Sequence, residues 1–141
     1  MPFDAVVADA NALLSAVVGR AALRVFTQFG LKIHITEFNA GEVEEYLPRM
    51  AEKYGLPAGL VRLQWGLLPV TRPSASGYSR YLGKARKDLR NGDPEDAHAL
   101  ALARALDVPL WSNDRDFERL GITVLTTAYL LKILERERSE I

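Results

Sequence analysis

Apolar positions along this chain follow two rhythms. Short apolar or β-branched runs occur at AVVA (5–8), KIHIT (32–36), LLPVT (67–71), PLWSN (109–113) and ITVLT (122–126). They are too brief for helices and read as strands. Pro69 has no N–H to give to a ladder, so the third run suits only a sheet edge. Between the runs lie stretches of helical period. Residues 11–29 carry Leu13, Leu14, Val17, Val18, Val25, Phe26 and Phe29 and stop at Gly30, a natural C-terminal glycine. A second helix is predicted over 38–54, ending at Gly55, and others over 57–65, 74–90, 94–106 and 127–138. Strands alternating with helices predict an α/β/α sandwich, with a parallel sheet of about five strands covered on both faces. Neither a linker nor a repeat interrupts this pattern, so residues 1–141 read as one domain.

In such a sheet, ligands bind at the carboxyl ends of the strands. Asp9 ends the first strand and Asp114 follows the fourth. Glu42, Glu44 and Glu45 lie early in the helix after the second strand. Asp93 and Asp96 open the helix leading into the fourth strand, which runs antiparallel to the strands and starts at the same edge. Four sequence-distant acidic groups thus share one rim. Each also has a purely structural explanation, because Asp and Glu favour the first turn of any helix. Asp93-Pro94 reads as an N-cap followed by a first-position proline, and Asp96 could complete a capping box. Asp116 and Glu118 resemble ordinary solvent-facing charges. For Asp9 the cap-only explanation is weaker, since a carboxylate closing a central strand is costly to desolvate without a partner. Asn11 and Ser15 could surround it, but no lysine or arginine precedes Arg20.

Crowded carboxylates repel. Two of them about 4 Å apart cost roughly 4 kcal/mol at an effective dielectric near 20, so several at one rim call for cations or raised pKa values. The chain has no cysteine and only two histidines. An oxygen-only donor set suits Mg²⁺ or Mn²⁺ rather than Zn²⁺, and those ions serve phosphate and phosphodiester chemistry.

Composition narrows this further. The chain has 141 residues, 48% of them hydrophobic, enough for a real core. Lys+Arg number 18 against Asp+Glu 18, so any nucleic-acid contact needs a local basic patch. SRYLGKARKDLR (79–90) places Arg80, Lys84 and Lys87 on one helical face, which is either a solvated face or a phosphate guide. Arg115, beside Asp114, is a second phosphate-contact candidate. His34 alternates with Ile33 and Ile35 and reads as structural. His98 lies about 200° around the helix from Asp96, which disfavours ligation. Trp65 and Trp111 read as packing residues. The missing cysteines suit a reducing cytoplasm, and neither a transmembrane-length apolar run nor a signal peptide is seen, so a cytoplasmic protein is expected. ALALARAL (99–106) is apolar around most of its circumference, and Leu130, Leu131, Ile133 and Leu134 add more apolar surface, which together predict a homodimer.

Asp9-Ala10-Asn11 after an apolar strand, ITEFNAGEVEEYL, DPEDAHALALA and WSNDRDF, in that order and at those spacings, resemble the PIN domain family. The resemblance runs from about residue 5 to about residue 131. It implies the strand order 3-2-1-4-5 and a magnesium- or manganese-dependent nuclease, acting mostly on RNA. Many members are toxins of VapBC-type toxin–antitoxin modules, and many are homodimers. The resemblance implies that Asp9, Glu42, Asp96 and Asp114 form the metal-binding, catalytic quartet, with Glu45 competing with Glu42 and Asp93 with Asp96. Asp116 would be auxiliary, and Asn11 resembles the polar neighbour of the first acid. Ser112 and Asn113 stand where many members place a threonine or serine before the fourth acid, as orienting groups. The expectation is therefore an endoribonuclease with an RNA substrate and an antitoxin partner. The alternative is a non-catalytic PIN-like module that binds nucleic acid or supports assembly. Phosphotransfer domains of receiver or haloacid-dehalogenase type fit poorly: the latter wants an aspartate where Asn11 stands, and a receiver wants a lysine well before Lys132.

Overall fold

The computed structural model describes residues 3–89, 94–117 and 119–139. Four parallel strands, β1 (Ala5–Ala8), β2 (Lys32–His34), β3 (Leu110–Trp111) and β4 (Val124–Leu125), form one sheet in the order β2-β1-β3-β4. The fifth predicted strand is reduced to a single parallel bridge. Thr71 pairs with His34 outside β2, donating to the Ile33 carbonyl at 2.9 Å and accepting from the Ile35 amide at 2.8 Å. That position is the edge that the order 3-2-1-4-5 gives it. The run fails as a strand because Leu67 still belongs to a helix and Pro69 cannot donate to a ladder.

Seven helices occur among the described residues: α1 (Ala10–Val18), α2 (Arg20–Thr27), α3 (Glu37–Lys53), α4 (Ala58–Leu67), α5 (Ser79–Asp88), α6 (Ala97–Leu106) and α7 (Thr127–Ser139). The single helix expected over 11–29 is two. Gly19 adopts an extended conformation between them, and its amide bonds the Ser15 carbonyl at 2.8 Å. A Cβ there would lie 2.9 Å from the same oxygen, so only glycine closes the joint. The segments expected as helices over 74–90 and 94–106 each begin with a short 3₁₀ turn, at Ala75–Gly77 and Pro94–Asp96. Asp93, Arg90 and Glu118 lie outside the described residues.

Both faces of the sheet are buried, as its alternation requires. Val6 and Ala8 pack with α1, α2, α3, α4 and α7 on one face, while Val7 and Leu110 pack with α5 and α6 on the other. Trp111 is fully buried, its ring 5.2 Å from that of Phe26. Ala97 and the run from Ala99 to Ala103 in α6 are buried within the chain itself, where α6 meets α5, α3, β1 and β3. The apolar circumference of this helix is therefore satisfied without a second copy, which removes it as a ground for a homodimer. No described helix is long and apolar enough to cross a membrane.

Candidate active site

Parallel pairing of Val7 with Leu110 and Ala8 with Trp111 fixes the carboxyl rim of the sheet. The next residues outward are Asp9 and Ser112, and they meet. Asp9 is only 3% exposed. Its Oδ1 accepts the Ala12 amide at 2.8 Å, which makes it the N-cap of α1. Its Oδ2 accepts the Ser112 hydroxyl. Burial pushes the Asp9 carboxyl above its ordinary range; the bonds from Ser112 and Ala12 oppose the shift, and nearby Asp114 adds to it. Asp9 is thus a cap and a member of an acidic cluster at once.

Ser112, itself 1% exposed, ties the first acid to the fourth, because its Oγ also accepts the Asp114 amide at 3.0 Å. Asp114 in turn accepts the Asp116 amide on Oδ1 at 2.9 Å, folding that residue back toward the rim. As a result, one carboxylate oxygen each from Asp96, Asp114 and Asp116 lie within 4.8 Å of one another. Asp96 ends the 3₁₀ turn that opens α6, so α6 delivers it to the rim of the neighbouring strands. Asp116, read from sequence as auxiliary, belongs to this group.

Glu42 approaches from α3. Thr36 caps that helix by accepting the Asn39 amide at 2.9 Å, and its hydroxyl donates to Oδ1 of Asn39 at 2.9 Å. The Asn39 side-chain amide then donates to Oε1 of Glu42 at 2.7 Å. Asn39 is buried, so this chain of bonds holds the half-buried carboxylate from behind. Neither Thr36 nor Asn39 was singled out from sequence, although a Thr directly before a helical stretch is a favoured N-cap. Asp9, Glu42 and Asp96 line one cleft of about 280 Å³, together with Asn11, Leu14, Tyr46 and Glu95. Glu45 is exposed and is not among the lining residues, and Glu44 faces the Trp65 indole N–H at 3.4 Å.

The remaining candidates take other places. Asn113 caps α7: its Oδ1 accepts the Thr127 amide at 2.9 Å, and its side-chain amide reaches the Thr127 hydroxyl at 3.2 Å. That hydroxyl also accepts the Trp111 indole N–H at 2.9 Å. Arg115 lines a trough beside the cleft. Arg80, Lys84 and Lys87 are exposed on α5 and line neither hollow; Lys84 pairs with Asp88 at 3.4 Å. His98 stacks on Phe38, rings 4.1 Å apart and nearly parallel, and its Nδ1 shares a hydrogen bond with the Tyr78 hydroxyl at 2.8 Å. Burial, with help from Arg86, holds its pKa below the ordinary value. His34 meets the Thr71 hydroxyl at the sheet edge.

The donor set is all oxygen and crowded. Octahedral ligands at about 2.0–2.1 Å from an ion sit roughly 3–4 Å apart, a spacing that the Asp96, Asp114 and Asp116 oxygens nearly meet. The residues therefore fit Mg²⁺ or Mn²⁺ in their chemistry. Asp9 and Glu42, held by Ser112 and Asn39, line the same cleft as Asp96.

A family description of the PIN domain matches residues 7–135. Among solved structures, VapBC2 from Rickettsia felis bound to a promoter DNA fragment is similar with a TM-score of 0.67 and 14% identity, over 86% of this chain and 98% of that one. A toxin–antitoxin complex from Klebsiella pneumoniae gives a TM-score of 0.61 and 20% identity, over 86% and 97%. PAE2754 from Pyrobaculum aerophilum gives 0.63 and 17%, over 96% and 92%. At such identities these likenesses concern the fold. A search of curated proteins found no match.

Proposed function

The chain belongs to the PIN domain family, and from that premise we infer that it is a Mg²⁺- or Mn²⁺-dependent endoribonuclease, the toxin of a toxin–antitoxin pair. The observation that carries this reading is the convergence of Asp9, Glu42, Asp96, Asp114 and Asp116 from four separate segments on one rim. A lone cap would explain any one of these acids; it does not explain their company. Asp9, Glu42, Asp96 and Asp114 are the proposed metal-binding and catalytic groups, with Asp116 beside them. A bound ion would acidify water and offset the charge that develops on the phosphoryl group. The protein's own share is to hold the acids in place: Ser112 orients Asp9 and the Asp114 backbone, and Asn39 orients Glu42.

One of the similar structures is described as a toxin–antitoxin complex and another as VapBC2, which supports an antitoxin protein as partner here. A homodimer remains part of the proposal, resting now on the exposed Leu60, Leu63 and Leu67 along α4 and Tyr129 on α7. A monomer mass by light scattering at tens of micromolar would remove it. The exposed cationic face of Arg80, Lys84 and Lys87 lines neither hollow and would meet phosphates outside both.

The test pairs melting with and without Mn²⁺ against cleavage of a single-stranded RNA, for the parent and Asp9→Asn. The parent should gain melting temperature with the ion and cleave. The variant should lose most of the gain and fall by orders of magnitude in rate. A parent that binds Mn²⁺ but cuts no RNA would move the chain to the non-catalytic module.

A further inference from the structure

One wall of the acid cleft continues beyond it. Along α3, Phe38, Glu42, Tyr46 and Met50 follow one another at intervals of four, the spacing of a single ridge on a helix surface, and Tyr54, the residue that caps the helix, continues the interval. Glu42 and Tyr46 line the acid cleft, while Met50 and Tyr54 line a trough of about 600 Å³. The two hollows share Asn11 and Leu14, so they are neighbours. The fourth acid, Asp114, lines the trough, and so do Lys53 and Arg115.

The tyrosines on this ridge are not packing residues. Tyr46 is 45% exposed and Tyr54 50%. Each ring carries a cation, with Arg49 5.5 Å from the centre of Tyr46 and Lys53 5.6 Å from that of Tyr54. Two ring–cation pairs therefore stand about 12 Å apart along the helix, one at the acids and one beyond them. Such a pair offers a π-face to a base and a positive charge to its phosphate.

We propose that this trough binds unpaired RNA leading away from the acid cleft, with bases stacked on Tyr46 and Tyr54 and phosphates on Lys53 and Arg115. The proposal rests on the nuclease reading for its direction but not for its contacts. In a duplex the base faces are already stacked on one another, so exposed tyrosines reward only unpaired bases. The acids of the cleft repel a polyanion, and the neutral chain has no general positive field to overcome this. Cations fixed beside the cleft supply the missing attraction locally. A protein partner has a more apolar landing place elsewhere, on Leu60, Leu63 and Leu67 of α4, whereas the trough is edged by Lys53, Arg115, Asn11 and Asn113.

Fluorescence anisotropy of a labelled, unstructured oligoribonucleotide in EDTA at low salt tests the contacts apart from any cleavage. The full-length protein should bind it more tightly than the matching duplex. Tyr54→Ala should weaken binding roughly five- to tenfold and Tyr54→Phe should restore it. Lys53→Ala and Arg115→Ala should each lower the salt slope by about one. The Mn²⁺-induced melting shift should stay as in the parent for the Tyr54 and Lys53 variants. Binding by Tyr54→Ala equal to the parent, or a duplex bound equally well, overturns the proposal. So does loss of antitoxin binding in Tyr54→Ala with RNA affinity intact, which would make the trough a protein surface. RNA held through Tyr54 by a protein that never cleaves would sink the nuclease reading alone; cleavage with KM unmoved by Tyr54→Ala would sink the track alone.

Discussion

The Ser112 hydroxyl donates to Oδ2 of Asp9, joining residues 103 positions apart across the β1–β3 seam. This bond opposes the effect of burial on the Asp9 carboxyl. Ser112→Ala should therefore favour the protonated acid and weaken Mn²⁺ binding near neutrality by roughly tenfold, as loss of an outer partner of a ligand does. Ser112→Thr keeps the hydroxyl and should recover most of that affinity. Calorimetric titration of both variants is the measurement, and equal affinity in Ser112→Ala and the parent would count against the orienting role.

The raised Asp9 pKa sets a pH dependence of definite sign. Between the ordinary value of 3.8 and the higher folded value, the folded protein binds more protons at Asp9 than the unfolded chain does. Stability due to this group therefore falls as pH rises through that window. Asp9→Asn preserves the cap, since Asn caps as well as Asp. In EDTA the variant should be at least as stable as the parent near neutrality, and the difference should shrink as pH falls toward about 4. His34 and His98, whose pKa values burial lowers, act with the opposite sign below about 6.5, but equally in both proteins. Urea titrations across the range check the difference, and adding Mn²⁺ near neutrality should reverse it.

Asn39 should matter for two separable reasons. Asn39→Ala strips a buried donor from Glu42 and an acceptor from Thr36, which should cost about 1–3 kcal/mol in urea unfolding. It should also lower Mn²⁺ affinity. Glu42→Gln should lower the affinity without most of the stability loss, and Glu45→Gln should change neither. A full loss of affinity in Glu45→Gln would reassign the second acid.

Periodicity carried the fold a long way, and its failures have local causes. The short apolar runs predicted β1, β2, β3 and β4 within a few residues because both faces of a central sheet must be apolar. LLPVT failed because apolar content cannot show that Leu67 finishes α4, leaving only Thr71 to pair. The break at Gly19 escaped because its cause is a close approach to the Ser15 oxygen, a distance that no spacing rule contains. In the site, the rim argument brought the acids together, yet Glu42 and Glu45 were inseparable along the sequence. They differ in which side of α3 faces α1 and α6 and in the buried Asn39 behind one of them. Tyr46 and Tyr54 were invisible for a related reason, since an aromatic on an amphipathic helix reads as core until its exposure is known.

The double duty of Asp9 bears on how such a chain would age if its activity were no longer needed. A residue that served only chemistry could drift to anything small. Here position 9 closes β1, starts α1 and receives the buried Ser112 hydroxyl, so drift is channelled toward residues that still cap, Asn or Ser foremost. A silent descendant with Asn there would keep its shape, gain stability from the loss of one crowded carboxylate, and differ at this rim by a single atom type. Loss of function in this lineage would thus be written as an amide replacing a carboxylate, with the surrounding fold intact.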